Sequence, residues 1–297
     1  MFVKQYYNIT PEEMQEILDE TLDKILIRVN YKNSIINLFQ EVFEKNVFQN
    51  FKDCGSFITV NKNKQIINAN FCKNRFCPVC NKRYSSQKWA KVKFISERLI
   101  KEIKPTFALL TITVKNVNSE QLKNEISHVM KSIDRLHKTK LFKENVLGYF
   151  RSLEITYNKE KDTYHPHYHY ILCLPKDYKE HQISTYQWRK TWERSARLDY
   201  TSQVNIKIIN QENDLNGGIA EVAKYAVKIS SVIQTGKKEP IKTIQEAIKN
   251  RRLISFGGII KDYSKMFDKQ TNEYKQNFDK EPAENYILQG EEYIKYS

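Results

Sequence analysis

Residues 165–169 read His-Pro-His-Tyr-His and lead straight into the apolar run Tyr170-Ile171-Leu172-Cys173-Leu174, so half of the six histidines fall within five residues. Successive side chains of a strand point to opposite faces, which puts His165, His167 and His169 on one face. Alternate Cβ atoms along a strand stand roughly 7 Å apart, close enough for the rings of His167 and His169 to converge on one metal ion. Pro166 cannot donate to a ladder, so the strand begins at or just after it. The plain alternative is a surface strand that is rich in histidine.

A carboxylate lies within reach of this pair. Residues 148–157 (GYFRSLEITY) read as a strand and Asn158–Thr163 as a polar turn. Folding the hairpin about residue 161 sets Glu154 opposite residue 168, between His167 and His169. Parity puts Ser152, Glu154 and Thr156 on one face and Leu153 and Ile155 on the other. Two imidazoles and a carboxylate make a mixed donor set suited to Mn²⁺ or Mg²⁺, with positions left open for phosphate oxygens. The alternatives are a solvated strand carboxylate at Glu154, or His165 as third ligand.

Cys54, Cys72, Cys77 and Cys80 are spaced C-x17-C-x4-C-x2-C. The Cys77-Pro78-Val79-Cys80 knuckle lets two thiolates reach one ion from a tight turn, with Cys54 and Cys72 supplying the other pair. Four thiolates would close a tetrahedral, structural Zn²⁺ site. A redox Cys-x-x-Cys or ordinary buried thiols are the alternatives; the strand-to-helix context of a thioredoxin motif is not seen around these residues. Cys173, on the histidine strand, reads as a packed small residue.

Residues 219–229 (IAEVAKYAVKI) have helical periodicity, with Ala220, Ala223, Ala226 and Val227 on one side and Glu221, Tyr225 and Lys228 on the other. A phenol becomes a nucleophile when relieved of its proton, and a cation such as Lys228 favours the phenolate. One turn away, Glu221 could activate a water. With 18 tyrosines in the chain, a chance amphipathic helix is the alternative.

The elements that must position these groups follow from pattern and punctuation. Thr10-Pro11-Glu12-Glu13 is a helix start with a capping box, followed by apolar Met14, Ile17, Leu18, Leu22, Ile25 and Leu26 at helical period. A second helical stretch covers about 33–44. Residues 48–98 hold four cysteines and then a basic helix through Arg83, Lys88, Trp89, Lys91 and Lys93. Residues 107–114 form a β-rich run in which Thr111 and Thr113 alternate with Leu110, Ile112 and Val114. A helix (about 119–138), the hairpin (149–174), a Trp-bearing helix (about 184–197) and a strand (204–209) follow, and Asn216-Gly217-Gly218 leads into the tyrosine helix. Residues 251–258 read as one more basic, strand-like element, and the last 35 residues are polar and charged. There is no internal repeat.

The 49 Lys and Arg outnumber the 35 Asp and Glu of the 297-residue chain, for a net charge of +14. This balance points to an anionic partner, nucleic acid first, and the abundant Tyr and Phe suit exposed bases as well as phosphates. Arg83, Lys88, Lys91, Lys224, Arg251 and Arg252 are the candidate DNA contacts. No apolar run approaches the ~18–20 residues that cross a bilayer, and the N-terminus lacks the apolar core of a signal peptide. A cytoplasmic protein with reduced or metal-bound cysteines is expected.

The Leu-Thr-Ile-Thr strand, then His-Pro-His-Tyr-His, then Glu-Val-Ala-Lys-Tyr-Ala-Val-Lys, in this order over roughly residues 105–260, resembles the rolling-circle replication initiators (Rep proteins) of small bacterial plasmids, in the HUH endonuclease superfamily. The resemblance implies that His167 and His169 bind a divalent metal, that Tyr225 is the nucleophile and that Glu221 is the carboxylate one turn before it. The Cys77–Cys80 element is similar to a Cys-Pro-x-Cys element of some members. The third ligand is less fixed by the motif, so Glu154 rests mainly on the hairpin geometry.

The expected fold is α+β: an antiparallel central sheet with flanking helices, a ferredoxin-like HUH palm, preceded by a helical N-terminus and a small four-cysteine zinc module. The expected divisions are a helical region (1–47), a zinc-binding, DNA-contacting module (48–98), a nicking and ligation domain (99–262) and a polar tail (263–297). The resemblance implies site-specific nicking of one origin strand through a 5′-phosphotyrosine link, freeing a 3′-OH primer. Plasmid origin DNA, host helicase and host DNA polymerase would be partners, no membrane is involved, and a homodimer is allowed. The rivals are a non-catalytic zinc-containing DNA-binding protein, and a transposase or relaxase of the same superfamily.

Overall fold

The computed structural model describes residues 21–62, 65–179, 182–209, 232–278 and 283–296. The chain divides into two compact units, one from Met1–Asn37, Glu44–Lys91 and Tyr263–Ser297, the other from Leu38–Phe43 and Val92–Asp262.

The first unit is built on a four-stranded antiparallel sheet formed by β1 (Phe57–Asn61), β2 (Ile66–Ala69), β8 (Ala283–Gln289) and β9 (Glu292–Tyr296), in the order β2-β1-β8-β9. Helices α1 (Leu22–Ser34) and α2 (Lys45–Asp53) precede it, and α3 (Pro78–Ile103) begins in it. Pro78 stands at the first helical position, where its missing amide proton costs nothing. Residues 263–297, which the sequence marks only as polar, thus carry the last part of a helix and two strands; β8 pairs with β1 from Phe57↔Ile287 to Asn61↔Ala283. The single helix expected over 33–44 is not formed. α1 ends at Ser34, a 3-10 turn covers Ile36–Leu38, and helix resumes only at Lys45. Phe39 and Phe43, in the stretch between and part of the second unit, are buried and stack with ring centroids 5.3 Å apart. The helix start at Thr10–Glu13 lies outside the described residues.

The second unit holds a five-stranded antiparallel sheet. Its strands are β3 (Thr106–Thr113), β4 (Gly148–Asn158), β5 (Thr163–Leu174), β6 (Val204–Ile208) and β7 (Ile254–Gly257), in the order β6-β3-β5-β4-β7. Helices α4 (Ser119–Leu136), α5 (Lys140–Asn145), α6 (Thr185–Ala196), α7 (Lys238–Ile248) and the start of α8 (Gly258–Phe278) complete it. Local chemistry sets the boundaries. Asn118 with Gln121, and Ser184 with Gln187, form capping boxes that satisfy the free amides starting α4 and α6. At the β4–β5 turn the Asn158 Oδ1 accepts from the amides of Glu160 and Lys161, both at 3.0 Å, and Asp162 takes a positive φ. β7 passes into α8 without a loop because Gly258 adopts φ +54° where a Cβ would meet the Leu147 carbonyl oxygen at 2.2 Å.

Period-2 alternation divides this sheet into two unlike faces. On one, Tyr168 and Tyr170 are fully buried, and Tyr149 and Tyr170 meet His137, which follows α4. α6 joins this side: His128 Nε2 bonds the Ala196 carbonyl (2.9 Å), and Trp192 Nε1 donates to the Thr113 carbonyl (2.9 Å). The other face carries the histidines. Among the described residues no helix is long and apolar enough to cross a membrane. The architecture is the α+β arrangement of antiparallel sheets and flanking helices that the sequence implied.

Candidate active site

The β4–β5 register sets the site. Asn158 pairs with Thr163 and every residue above follows, so Glu154 stands directly across from His167 and Ser152 from His169. A fold about residue 161 would set Glu154 opposite Tyr168; the turn closes one residue tighter and aligns it with His167. Directly opposed residues of an antiparallel pair share a face with Cβ atoms about 4.5–5.5 Å apart. The observed register therefore aims the carboxylate at the imidazoles.

Glu154 Oε2 lies 3.1 Å from His167 Nε2 and 2.8 Å from His169 Nε2. The donor atoms of these three residues all lie within 4.8 Å of one another. The carboxylate side chain is 2 % exposed and the two rings 11 % and 12 %. Burial alone would raise the Glu154 pKa; the hydrogen bonds and charges of His167 and His169 outweigh it and hold the carboxyl well below the usual range. His165 is not part of the convergence. Its ring packs against that of His167, with centroids 5.2 Å apart, and its carbonyl oxygen accepts from His167 Nδ1 at 3.1 Å.

That contact has a chemical consequence. A carbonyl oxygen only accepts, so His167 Nδ1 carries a proton there and Nε2 is the nitrogen turned towards Glu154. The His169 Nδ1 lies 3.1 Å from Thr111 Oγ1, which can accept in the same way. With Nδ1 of each ring engaged from behind, the two Nε2 atoms and one carboxylate oxygen converge on a single point. The donor set therefore fits a divalent ion, with both rings oriented from behind as ligating histidines usually are.

Thr111 is the residue that sequence reasoning passed over. The signal was present, since β3 parity separates Thr111 and Thr113 from Leu110 and Ile112, but the partner strand was not legible. In the structure β3 lies beside β5, pairing Thr111 with His169 and Thr113 with His167. On the far side Thr111 pairs with Asn205 of β6, and Leu109 with Lys207; both β6 residues are exposed. The histidine face thus has a polar, accessible flank, while Phe107, Phe150 and Ile171 on the same face are fully buried.

Behind β5, His137 is held between two hydroxyls, Tyr149 Oη at its Nδ1 and Tyr170 Oη at its Nε2, each at 3.2 Å. Burial first, and the nearby Arg151 charge second, lower its pKa to about 3, so it stays neutral. This network came from the tyrosines interleaved with the histidines.

The remaining candidates fare differently. Tyr225, Glu221, Lys228 and Lys224 lie outside the described residues. Lys91 is buried and bonded to Asp268 at 2.6 Å, so it is an internal tie of its own unit and not an exposed DNA contact. Arg251 donates to the Lys123 carbonyl and to Ser127 Oγ (3.0 and 2.7 Å), fastening its segment to α4. Arg252 is exposed. The Arg83 guanidinium stacks 4.4 Å from the Phe71 ring centroid and the Lys88 ammonium 5.0 Å from that of Tyr84, a cation–aromatic surface on α3.

In the first unit the four cysteines do gather. Sγ separations are 3.5 Å for Cys54–Cys80 and 3.6 Å for both Cys72–Cys80 and Cys54–Cys77. The edge of a tetrahedron with Zn–S bonds of about 2.3 Å is about 3.8 Å, close to these values, and no disulfide joins them. Amides of Cys72, Lys73 and Asn74 point at the sulfurs of Cys54, Cys80 and Cys72, at 3.4, 3.2 and 3.4 Å. Such N–H···S bonds favour thiolates. Cys173 is buried on β5, in the other unit, and burial pushes its thiol up to about 12, as suits a packing residue.

The chain matches the replication-protein family over residues 63–297. It is 30 % identical over 270 residues to "Protein rep" of Streptococcus pneumoniae serotype 2, covering 83 % of this chain and 84 % of the relative. It is 33 % identical over 238 residues to "Protein rep" of Bacillus sp, covering 71 % and 78 %, and 34 % identical over 209 residues to "Protein rep" of Staphylococcus aureus, covering 66 % and 90 %. No solved structure matches the chain. With a match across most of its length to that family, and the histidine strand and most of the cysteine cluster within the matched region, the chain belongs to the replication-protein (Rep) family of rolling-circle plasmid initiators.

Proposed function

We propose that this replication protein initiates plasmid replication as a metal-dependent, site-specific nickase of one origin strand. The observation that carries the reading is the convergence of Glu154, His167 and His169 at one point on the sheet face, with both Nε2 atoms turned inward. These three residues would hold Mn²⁺ or Mg²⁺. The bound ion would polarise the scissile phosphate and offset the charge that develops on it.

The chain's own residues do the rest. Tyr225 attacks the phosphorus; a phosphorus–oxygen bond to tyrosine forms as the bond to the 3′ oxygen breaks. The departing oxygen takes a proton and becomes a 3′-OH for host polymerase, with host helicase opening the duplex ahead. The 5′-phosphotyrosine stores the energy of the broken diester, so strand transfer needs no ATP. Lys228 favours the phenolate. Glu221 serves termination by taking a proton from the water that makes the second attack. The exposed Asn205 and Lys207, beside Thr111, suit a single strand crossing the sheet face, and Arg83, Lys88, Lys224 and Arg252 suit the flanking duplex. Zn²⁺ on Cys54, Cys72, Cys77 and Cys80 would be structural.

The test is conversion of supercoiled plasmid bearing the cognate origin to open circles. Nicking is expected with Mn²⁺ or Mg²⁺ and not with EDTA, and Glu154→Gln should lose it while keeping origin binding. Origin binding with no nicking under any divalent ion would favour a non-catalytic binder instead.

A further inference from the structure

Lys32, in the last turn of α1, is 1 % exposed, among the most deeply buried side chains of the chain. Its ammonium donates to the carbonyls of Lys52 (2.5 Å) and Cys54 (2.8 Å), at the C-terminal end of α2. α1 is pressed close here: a Cβ on Gly55 would meet Val29 Cγ2 at 2.8 Å, and Tyr293 donates to the Gly55 carbonyl. Burial lowers the Lys32 pKa, and charge on Cys54, Cys77, Cys72 and Asp53 would act against that shift. Asp53 is exposed and takes a hydrogen bond from Gln49 at 2.7 Å. The two carbonyls accept two of the ammonium's three protons and do not neutralise its charge. Burying an ion without an opposite charge costs several kcal/mol.

We propose that Lys32 is the counter-ion of a doubly negative tetrathiolate centre at Cys54, Cys72, Cys77 and Cys80, and that this charge pairing fastens α1 to the cysteine module. The inference rests on the zinc reading above and deepens it. Four thiols or two disulfides would be neutral and leave the buried charge of Lys32 uncompensated; four thiolates around one divalent ion carry two negative charges in total. Lys32 cancels one of them, and the amides of Cys72, Lys73 and Asn74 spread the other. Lys32 therefore acts on the metal through the ligands and contacts no metal itself. Loss of the metal would leave the ammonium uncompensated, so α1 should loosen with it.

The experiment uses the full chain and Zn²⁺ as probe. Affinity is read by competition with a chromogenic chelator, and α1 docking by amide hydrogen exchange over residues 22–34. Lys32→Gln can keep donors to the two carbonyls and removes only the charge; Lys32→Arg keeps the charge. Zinc affinity should fall about tenfold or more in Lys32→Gln, the scale of interactions that support metal ligands, and return towards the original in Lys32→Arg. Chelation of the unaltered protein should speed exchange in α1. Unchanged zinc affinity in Lys32→Gln, even with a lower melting temperature, would reduce Lys32 to a helix cap and overturn the proposal. Should Lys32→Gln not fold, a Lys32→Arg protein that binds zinc no better than a Cys80→Ser control overturns it as well. Absence of zinc from the unaltered protein would overturn the zinc reading itself, a separate and recognisable failure.

Discussion

Thr111→Val is the sharpest probe of how the histidine site is held. Valine is nearly isosteric with threonine, so β3 keeps its packing and its pairing with β5. What is lost is the hydroxyl 3.1 Å from His169 Nδ1. A neutral hydrogen bond contributes about 0.5–1.5 kcal/mol net, and leaving the Nδ1–H in a site whose ring is 12 % exposed adds to that cost. Loss of a group that orients a metal ligand typically lowers affinity about 10–100-fold, or about 1.4–2.8 kcal/mol. The assay is titration of metal-free protein with Mn²⁺, followed by calorimetry or by the free-ion signal. Thr111→Ser should bind almost as the parent does. Thr113→Val is the matched control: that hydroxyl donates to the Gln203 carbonyl at 3.0 Å, so its loss should leave Mn²⁺ affinity unchanged. Equal affinities for Thr111→Val and the parent, or equal losses at Thr111 and Thr113, would refute the reasoning.

Further expectations concern the same framework. His167→Ala and His169→Ala should each depress nicking by orders of magnitude with partial rescue at raised Mn²⁺, and His165→Ala should do less because its ring is not among the converging donors; plasmid nicking assays rank the three. Glu221→Gln should keep nicking and covalent attachment but release displaced circles poorly, seen as multimeric single strands on a gel. His137 gives a pH signature: its pKa is about 3 in the folded chain against an ordinary 6.5, so the unfolded chain takes the proton first. Its contribution to stability is complete above pH 6.5 and is lost as pH falls towards 3, by at most about 1.4 kcal/mol per pH unit; denaturant unfolding of His137→Gln should show a flatter acid limb. Lys91→Ala should lower stability with little effect on DNA affinity, and Arg252→Ala should do the reverse, as read by thermal melts and by salt-dependent binding to origin DNA.

The histidine strand, its carboxylate and the cysteine cluster were legible because each is a pattern in consecutive or closely spaced residues. Period-2 alternation settles which of His165–His169 share a face without knowledge of any partner. The exact register was not legible, because a hairpin's alignment depends on where the turn closes, and the Asn158 side chain pulls that closure half a residue from the midpoint assumed. Thr111 and Lys32 were not legible for a different reason. Each works through a partner that is distant in sequence, 58 residues away for Thr111–His169 and 22 for Lys32–Cys54, and no local pattern announces such a pair. The same holds for residues 263–297, whose strands look like a polar tail until β1 is available to pair with β8. Lys91 shows the converse, a cation on a basic helix that suggests DNA until its Asp268 partner, 177 residues on, is seen.

The central claim is that Glu154, His167 and His169 hold a divalent ion where Tyr225 attacks the origin strand. Its most direct test is peptide mapping of the covalent product formed when the protein meets single-stranded origin DNA and Mn²⁺. The account predicts one adduct, a nucleotide 5′-phosphate on Tyr225, formed together with a 3′-OH that polymerase extends, absent in EDTA and absent in Glu154→Gln. An adduct on another tyrosine, cleavage that leaves no protein–DNA link, or an adduct that forms equally well in Glu154→Gln would contradict it.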